Sequence, residues 1–236
     1  MKPTVLMLPG TLCDERIFAY IKRTLRFEAN LICGNYSGMK NRSTWISDLL
    51  SSMPSRFMVA GFSLGGLFAL ELARLAPQRV QGLALIASNG QAASDRIEKK
   101  SENLRRLWLR QGPKSVARHV KPRYFHHATK RQRFERLVLD MATKTPRQSA
   151  FEEFAWAAQR PDGLKTLQHF LGPVLIVSGR QDKVCPRDLQ QAMVFAQPHA
   201  SWVEIDRCGH FLPLEAPAQL NRALRNWLTQ TQSSVD

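Results

Sequence analysis

Three residues of types that together do acyl chemistry stand far apart in this chain: Ser63, Asp182 and His210. Ser63 sits in Gly61-Phe62-Ser63-Leu64-Gly65-Gly66, between an apolar run that reads as a strand and one that reads as a helix. A serine on so sharp a turn needs small neighbours, and Gly61, Gly65 and Gly66 supply them. At a helix N-terminus, free backbone N–H groups and the helix dipole favour negative charge developing beside the hydroxyl. A serine hydroxyl is a weak nucleophile until a base takes its proton, and the base needs a carboxylate to orient it. Of the six histidines, only His210 stands in a turn directly after an expected strand, in Cys208-Gly209-His210-Phe211. Asp182, in Gly179-Arg180-Gln181-Asp182, follows another such strand; Asp206, nearer to His210 in sequence, is the rival acid, with a turn role expected.

The elements that must position these groups follow from apolar patterning. Strands are expected at Thr4–Leu8, Ala29–Ile32, Phe57–Ala60, Val80–Ala87, Val174–Ser178 and Trp202–Ile205. Helices are expected at Glu15–Leu25, from a Ser43 cap to about Met53, and at Leu67–Leu75, Arg187–Phe195 and Ala218–Leu228. Short, nearly continuous apolar strands alternating with helices imply a mostly parallel sheet covered on both faces. Between Ser94 and about Lys165 the period changes to that of helices, with Gly112-Pro113, Lys121-Pro122 and Thr145-Pro146 as punctuation. This divides the chain into a core, 1–90 and 166–236, and a helical insertion, 91–165, with a frayed tail expected from Gln230.

Composition narrows the function classes. At 236 residues and 44% hydrophobic content the chain is long enough for one full core. No apolar run approaches the ~20 residues of a membrane span, and the N-terminus lacks a secretory h-region, so a cytoplasmic protein is expected. Cys13, Cys33, Cys185 and Cys208 form no CxxC pair or zinc spacing; free thiols, no metal and no cofactor are expected. The net charge is +15, and residues 91–165 hold 18 Lys/Arg against 8 Asp/Glu. Such a surface steers acidic partners toward it, but the insertion has no nucleic-acid motif.

The order Ser63, Asp182, His210 is that of the α/β-hydrolases. The chain resembles that superfamily over nearly its whole length. The matching pieces are Leu8-Pro9-Gly10-Thr11-Leu12, the Ser63 turn, Ser178 to Asp182 with Pro186, and Gly209-His210-Phe211 with Glu215-Ala216-Pro217. The resemblance implies that Thr4–Leu8 matches the family's third strand, so the sheet lacks the usual first two and has about six. It also implies an oxyanion hole from the backbone N–H groups of Leu64 and Thr11, with Leu12 as the alternative. Pro9 stands where the family often has histidine. The insertion falls where the family places a cap, with Trp108, Phe125, Phe151, Phe154 and Trp156 as candidate lining, most of them expected to pack the cap helices instead. The chain is also similar to capped bacterial carboxylesterases that cleave pimeloyl-carrier-protein methyl ester. That similarity implies an acidic acyl carrier protein as partner, received by Arg105, Arg106, Arg110, Arg118, Lys121 and Arg123. The alternatives are a thioesterase or C–C bond hydrolase on the same residues, or a non-catalytic ligand- or nucleic-acid-binding protein of the same fold.

Overall fold

Alternation along each central strand divides the apolar residues between two faces. In the computed structural model, which describes residues 2–120 and 124–232, Val5, Met7, Met58, Ala60, Ala84, Ile86, Leu175 and Val177 point to one core. Leu6, Leu8, Phe57, Val59, Leu83, Leu85, Val174 and Ile176 point to the other. The strands are β1 (Thr4–Leu8), β2 (Asn30–Cys33), β3 (Phe57–Phe62), β4 (Val80–Ile86), β5 (Val174–Gly179) and β6 (Ser201–Ile205). They form one parallel sheet in the order β2-β1-β3-β4-β5-β6. β3 and β5 are buried at every residue, whereas the edge strand β2 alternates exposed and half-buried positions, as an edge must.

A 3-10 turn (Glu15–Phe18), α1 (Ala19–Leu25) and the later α9 (Leu212–Glu215) and α10 (Pro217–Gln232) cover the first face. The second is covered by α2 (Arg42–Ser52), α3 (Leu64–Leu75), α7 (Gly163–Gln168) and α8 (Arg187–Ala196). The N-cap of α2 is Asn41, whose side chain accepts from Thr44 N–H, rather than Ser43; an amide oxygen two residues earlier wins the capping contact.

Between β4 and β5 run α4 (Asp95–Val120), α5 (Ala128–Lys144) and α6 (Arg147–Gln159). Gly112, at φ 77°, ψ 177°, breaks α4 just before Pro113, and Thr145-Pro146 separates α5 from α6. Their own core joins Trp108, Val116, Ala117, Ala142, Ala150 and Phe154, and it takes in Leu12 from the loop after β1. Polar ties cross the same boundary: Arg16 Nη1 donates to Asp140 Oδ2 at 2.5 Å, and Ser149 Oγ donates to the Ser37 carbonyl at 3.0 Å. No helix among the described residues is long and apolar enough to cross a membrane.

The chain leaves β1 toward β2 on one side and β3 toward β4 on the other. The carboxyl ends of β1 and β3 therefore border a crevice at the point where the strand order reverses, the usual ligand position in open α/β sheets.

Candidate active site

Ser63 follows β3 directly and precedes the first residue of α3. Its backbone is left-handed, at φ 52° and ψ −113°, a conformation a non-glycine residue adopts only when its surroundings enforce it. The surrounding hydrogen bonds are Ser63 N–H to the Ile86 carbonyl at 2.8 Å and Ser88 Oγ to the Ser63 carbonyl, also 2.8 Å. The flanking glycines are needed for close approach. A Cβ on Gly61 would stand 2.2 Å from the Gly65 carbonyl oxygen, and one on Gly65 only 2.0 Å from the Leu8 carbonyl oxygen. The loop after β1 thus lies against the start of α3, and Gly10 itself packs on the Phe62 ring and Ser63 Cβ.

His210 and Asp182 come from the loops after β6 and β5. His210 Nε2 is 2.9 Å from Ser63 Oγ, and Nδ1 is 2.8 Å from Asp182 Oδ2. Both side chains are buried. The other carboxylate oxygen of Asp182 accepts the N–H groups of Val184 at 2.7 Å and Cys185 at 3.0 Å, which locks its orientation. With Nδ1–H donating to the carboxylate, Nε2 is left to accept from the serine hydroxyl; the tautomer is inferred from this network. Asp206 is exposed and accepts from Gln181 Nε2 at 3.3 Å, away from the imidazole. Asp182, Cys185 and His210 each bring a metal-ligand atom within 4.8 Å of the others. Both imidazole nitrogens are already engaged, however, and burial with the nearby Asp182 charge pushes the Cys185 thiol well up, toward the form that ligates poorly.

Two further carboxyl groups order the loops, and patterning alone did not single them out for this. Glu153 of α6 is buried, and its Oε2 accepts Leu12 N–H at 2.6 Å, while Leu12 is left-handed at φ 53°. This contact commits the Leu12 N–H and withdraws Leu12 as the alternative oxyanion donor. Glu215 accepts Gly209 N–H at 3.1 Å through one oxygen and His126 N–H at 2.8 Å through the other. It ties the His210 turn to the segment before α5. His210 N–H donates to the Tyr124 carbonyl at 2.7 Å in the same seam, and the Tyr124 ring meets the imidazole edge-on at 5.0 Å. A Glu in an apolar helix face is the sequence signal for Glu153; its distant partner carries none.

A cavity of about 160 Å³ opens on Ser63 and His210 and also touches Gly10, Thr11, Leu12 and Leu64. Of the five candidate aromatic lining residues, only Phe154 borders it. Trp108 and Phe151 pack edge-on or tilted against Phe154, Trp156 stacks on Phe68, and Phe125 stacks on Phe211, so these rings pack on other aromatic rings instead of lining the cavity. Arg105, Arg106, Arg110 and Arg118 are all exposed on α4; Arg106 pairs with Glu102 at 2.9 Å and Arg105 lies over the Phe151 ring. Lys121 and Arg123 lie outside the described residues.

A sequence profile for the alpha/beta hydrolase fold matches residues 44–217, most of the chain and including all three polar residues. The chain belongs to the α/β-hydrolase family. As a member it is a hydrolase built on the parallel sheet described above. It is 27% identical over 206 residues to a pimeloyl-[acyl-carrier protein] methyl ester esterase of Shewanella oneidensis, covering 80% of this chain and 75% of that one. It is 26% identical over 183 residues to a 2-hydroxy-6-oxononadienedioate/2-hydroxy-6-oxononatrienedioate hydrolase of Paraburkholderia phymatum, covering 74% and 63%. A thermophilic esterase from Thermogutta terrifontis shares the hydrolase's fold, with a TM-score of 0.83 at 21% identity over 98% of this chain and 91% of its own.

Proposed function

We propose that this hydrolase cleaves carboxylic esters through an acyl-enzyme, with Ser63 as nucleophile, His210 as general base and acid, and Asp182 as the orienting carboxylate. The observation that carries this reading is the continuous hydrogen-bond chain from Ser63 Oγ through both His210 nitrogens to Asp182, open to a cavity at the serine end. Ser63 Oγ attacks the ester carbonyl carbon while its proton passes to His210 Nε2. The carbonyl π electrons move onto oxygen, and the buried Asp182 stabilises the imidazolium. When the oxyanion collapses, the alkoxide leaves with the proton from Nε2. A water molecule then repeats the sequence on the acyl-enzyme and frees Ser63. The oxyanion is received by the N–H groups of Leu64 and Thr11. Leu64 is the first residue of α3, where no preceding helical turn supplies a carbonyl, and Gly10 and Gly65 let the Thr11 loop approach. Residues 91–165 act as its cap, excluding water from the cavity.

A fluorophosphonate probe tests the assignment. Wild type is expected to be labelled at Ser63 and Ser63→Ala to remain unlabelled. A folded wild type that resists labelling would overturn it and favour a non-catalytic binder.

Within this class the substrate is an acyl ester linked to a carrier protein, the kind of substrate that the Shewanella relative's name gives, and the carrier that suits this basic insertion is acidic. Exposed Arg105, Arg110 and Arg118 on α4 support this reading, as does the basic excess of the insertion. Carrier-linked turnover should then fall steeply with salt while free-ester turnover does not; equal turnover of both at every salt concentration rules the carrier out. All four cysteines are free, which suits a reducing compartment such as the cytoplasm.

A further inference from the structure

The wall of the cavity beside Ser63 carries two cations and, among the described residues, no aspartate or glutamate. One is Arg160, at the end of α6, only 9% exposed. Its Nε donates to the Gln91 carbonyl at 2.9 Å, Nη1 to the Ala157 carbonyl at 2.5 Å, and Nη2 to Asn89 Oδ1 at 3.4 Å. Every acceptor is neutral, so the guanidinium is hydrogen-bonded but its charge is not balanced. The other is Lys100 of α4, which makes no ion pair with any described carboxylate. Lys100 is exposed, but partial desolvation where it lines the cavity draws its ammonium below the ordinary lysine value, and the nearby Arg96 adds to this. Lys100, Leu104 and Tyr124 also border a second groove of about 470 Å³, whose remaining wall includes Arg96, Lys99 and His119. The catalytic cavity and the basic groove therefore share one side, and Lys100 faces both.

A cation held out of water without a counter-ion, as Arg160 is, is costly to the free protein and gains strongly when an anion arrives, and the exposed Lys100 lines the same wall with no described carboxylate paired to it. An apolar acyl cavity for neutral esters has no use for them, because Leu104, Val116 and Phe154 already line it. We propose that Lys100 and Arg160 form an anion subsite, and that among free esters the preferred one carries a carboxylate a few bonds from the scissile carbonyl. Lys100 is the residue that meets the anion, while Arg160 holds the 89–91 loop and adds its charge from behind. The subsite rests on the ester-hydrolase reading above.

The test compares kcat/KM for matched esters. In one arm the acyl group is charged: mono-p-nitrophenyl adipate against p-nitrophenyl hexanoate. In the other the leaving group is charged: the hexanoyl ester of p-hydroxybenzoate against that of its methyl ester. Wild type should favour the anionic member of one pair by about tenfold or more, the range of one charge-assisted hydrogen bond. The arm that shows it identifies which side of the ester the carboxylate lies on. Lys100→Gln should lower the anionic-to-neutral ratio about tenfold, and Lys100→Glu should lower it further. Lys165→Gln removes the same charge from an exposed site on α7 and should preserve the ratio. Ratios near one in both arms for wild type, or an equal drop in Lys165→Gln, would overturn the subsite. A folded wild type that hydrolyses none of the four esters would overturn the ester-hydrolase reading beneath it.

Discussion

Gly65 is where the fold and the chemistry constrain each other most tightly, and Gly65→Ala tests that coupling. The added Cβ would lie 2.0 Å from the Leu8 carbonyl oxygen, 2.6 Å from its carbon and 2.8 Å from the Pro9 carbonyl oxygen. All three contacts are backbone, so no side-chain rotation relieves them. The β1 strand end must retreat from α3 by more than about 1 Å before ordinary van der Waals distances return. That strand end leads directly into Thr11, so the separation between the Thr11 and Leu64 N–H groups opens with it. A displacement of about 1 Å at a reacting centre costs about 100-fold in rate, at the lower end of the ~2.7–4 kcal/mol lost with one oxyanion donor. Overpacking costs ~1–3 kcal/mol of stability, of which alanine's better helix propensity returns up to about 1. The assay is kcat on p-nitrophenyl hexanoate together with thermal unfolding, with Gly38→Ala as the partner variant. A Cβ on Gly38 meets nothing within 4 Å, so that variant should keep kcat within about twofold and hold or raise Tm. If Gly65→Ala keeps more than half of the wild-type kcat at an unchanged Tm, the oxyanion geometry argued from this close approach is wrong.

Two buried carboxyl groups give further tests. Glu153→Ala removes the carboxylate to which the buried Leu12 N–H donates and should cost about 1–3 kcal/mol in urea unfolding, with kcat falling as the loop loosens. Glu153→Gln keeps an acceptor oxygen and should recover most of both; equal damage from Ala and Gln would show that the hydrogen bond is not what matters. Burial raises the Glu215 carboxyl above its ordinary 4.5, against the opposing N–H bonds from His126, His127 and Gly209. The native state therefore holds this proton more tightly than the unfolded chain. The associated stability is present in full below pH 4.5 and is lost as pH rises through the folded value. Unfolding measured upward from pH 4.5 should show this decline in wild type and a flatter profile in Glu215→Gln; parallel profiles would refute the assignment.

Local patterning made the sheet and the three principal polar residues legible. A continuous apolar run such as Val174–Val177 has no stable place except between two covered faces, and a glycine-flanked serine between strand and helix has few other uses. The order of Ser63, Asp182 and His210 could be read because each follows a strand, and parallel strands deliver their carboxyl ends to one edge. Helix starts were less legible: α3 begins at Leu64 rather than Leu67, because the Gly65-Gly66 pair that weakens helix propensity is what the close packing against β1 and Ser88 requires. The tertiary structure supplied the reason that Asp182 and not Asp206 meets His210: the two differ in where their loops point and not in residue type. It alone revealed that Glu153 reaches Leu12 across 141 positions of sequence, and that Lys100 and Arg160 share one cavity wall. Those pairings depend on how the α4–α6 segment sits over the strand ends. Helical periodicity specifies which face of a helix is apolar; it does not specify what that face meets.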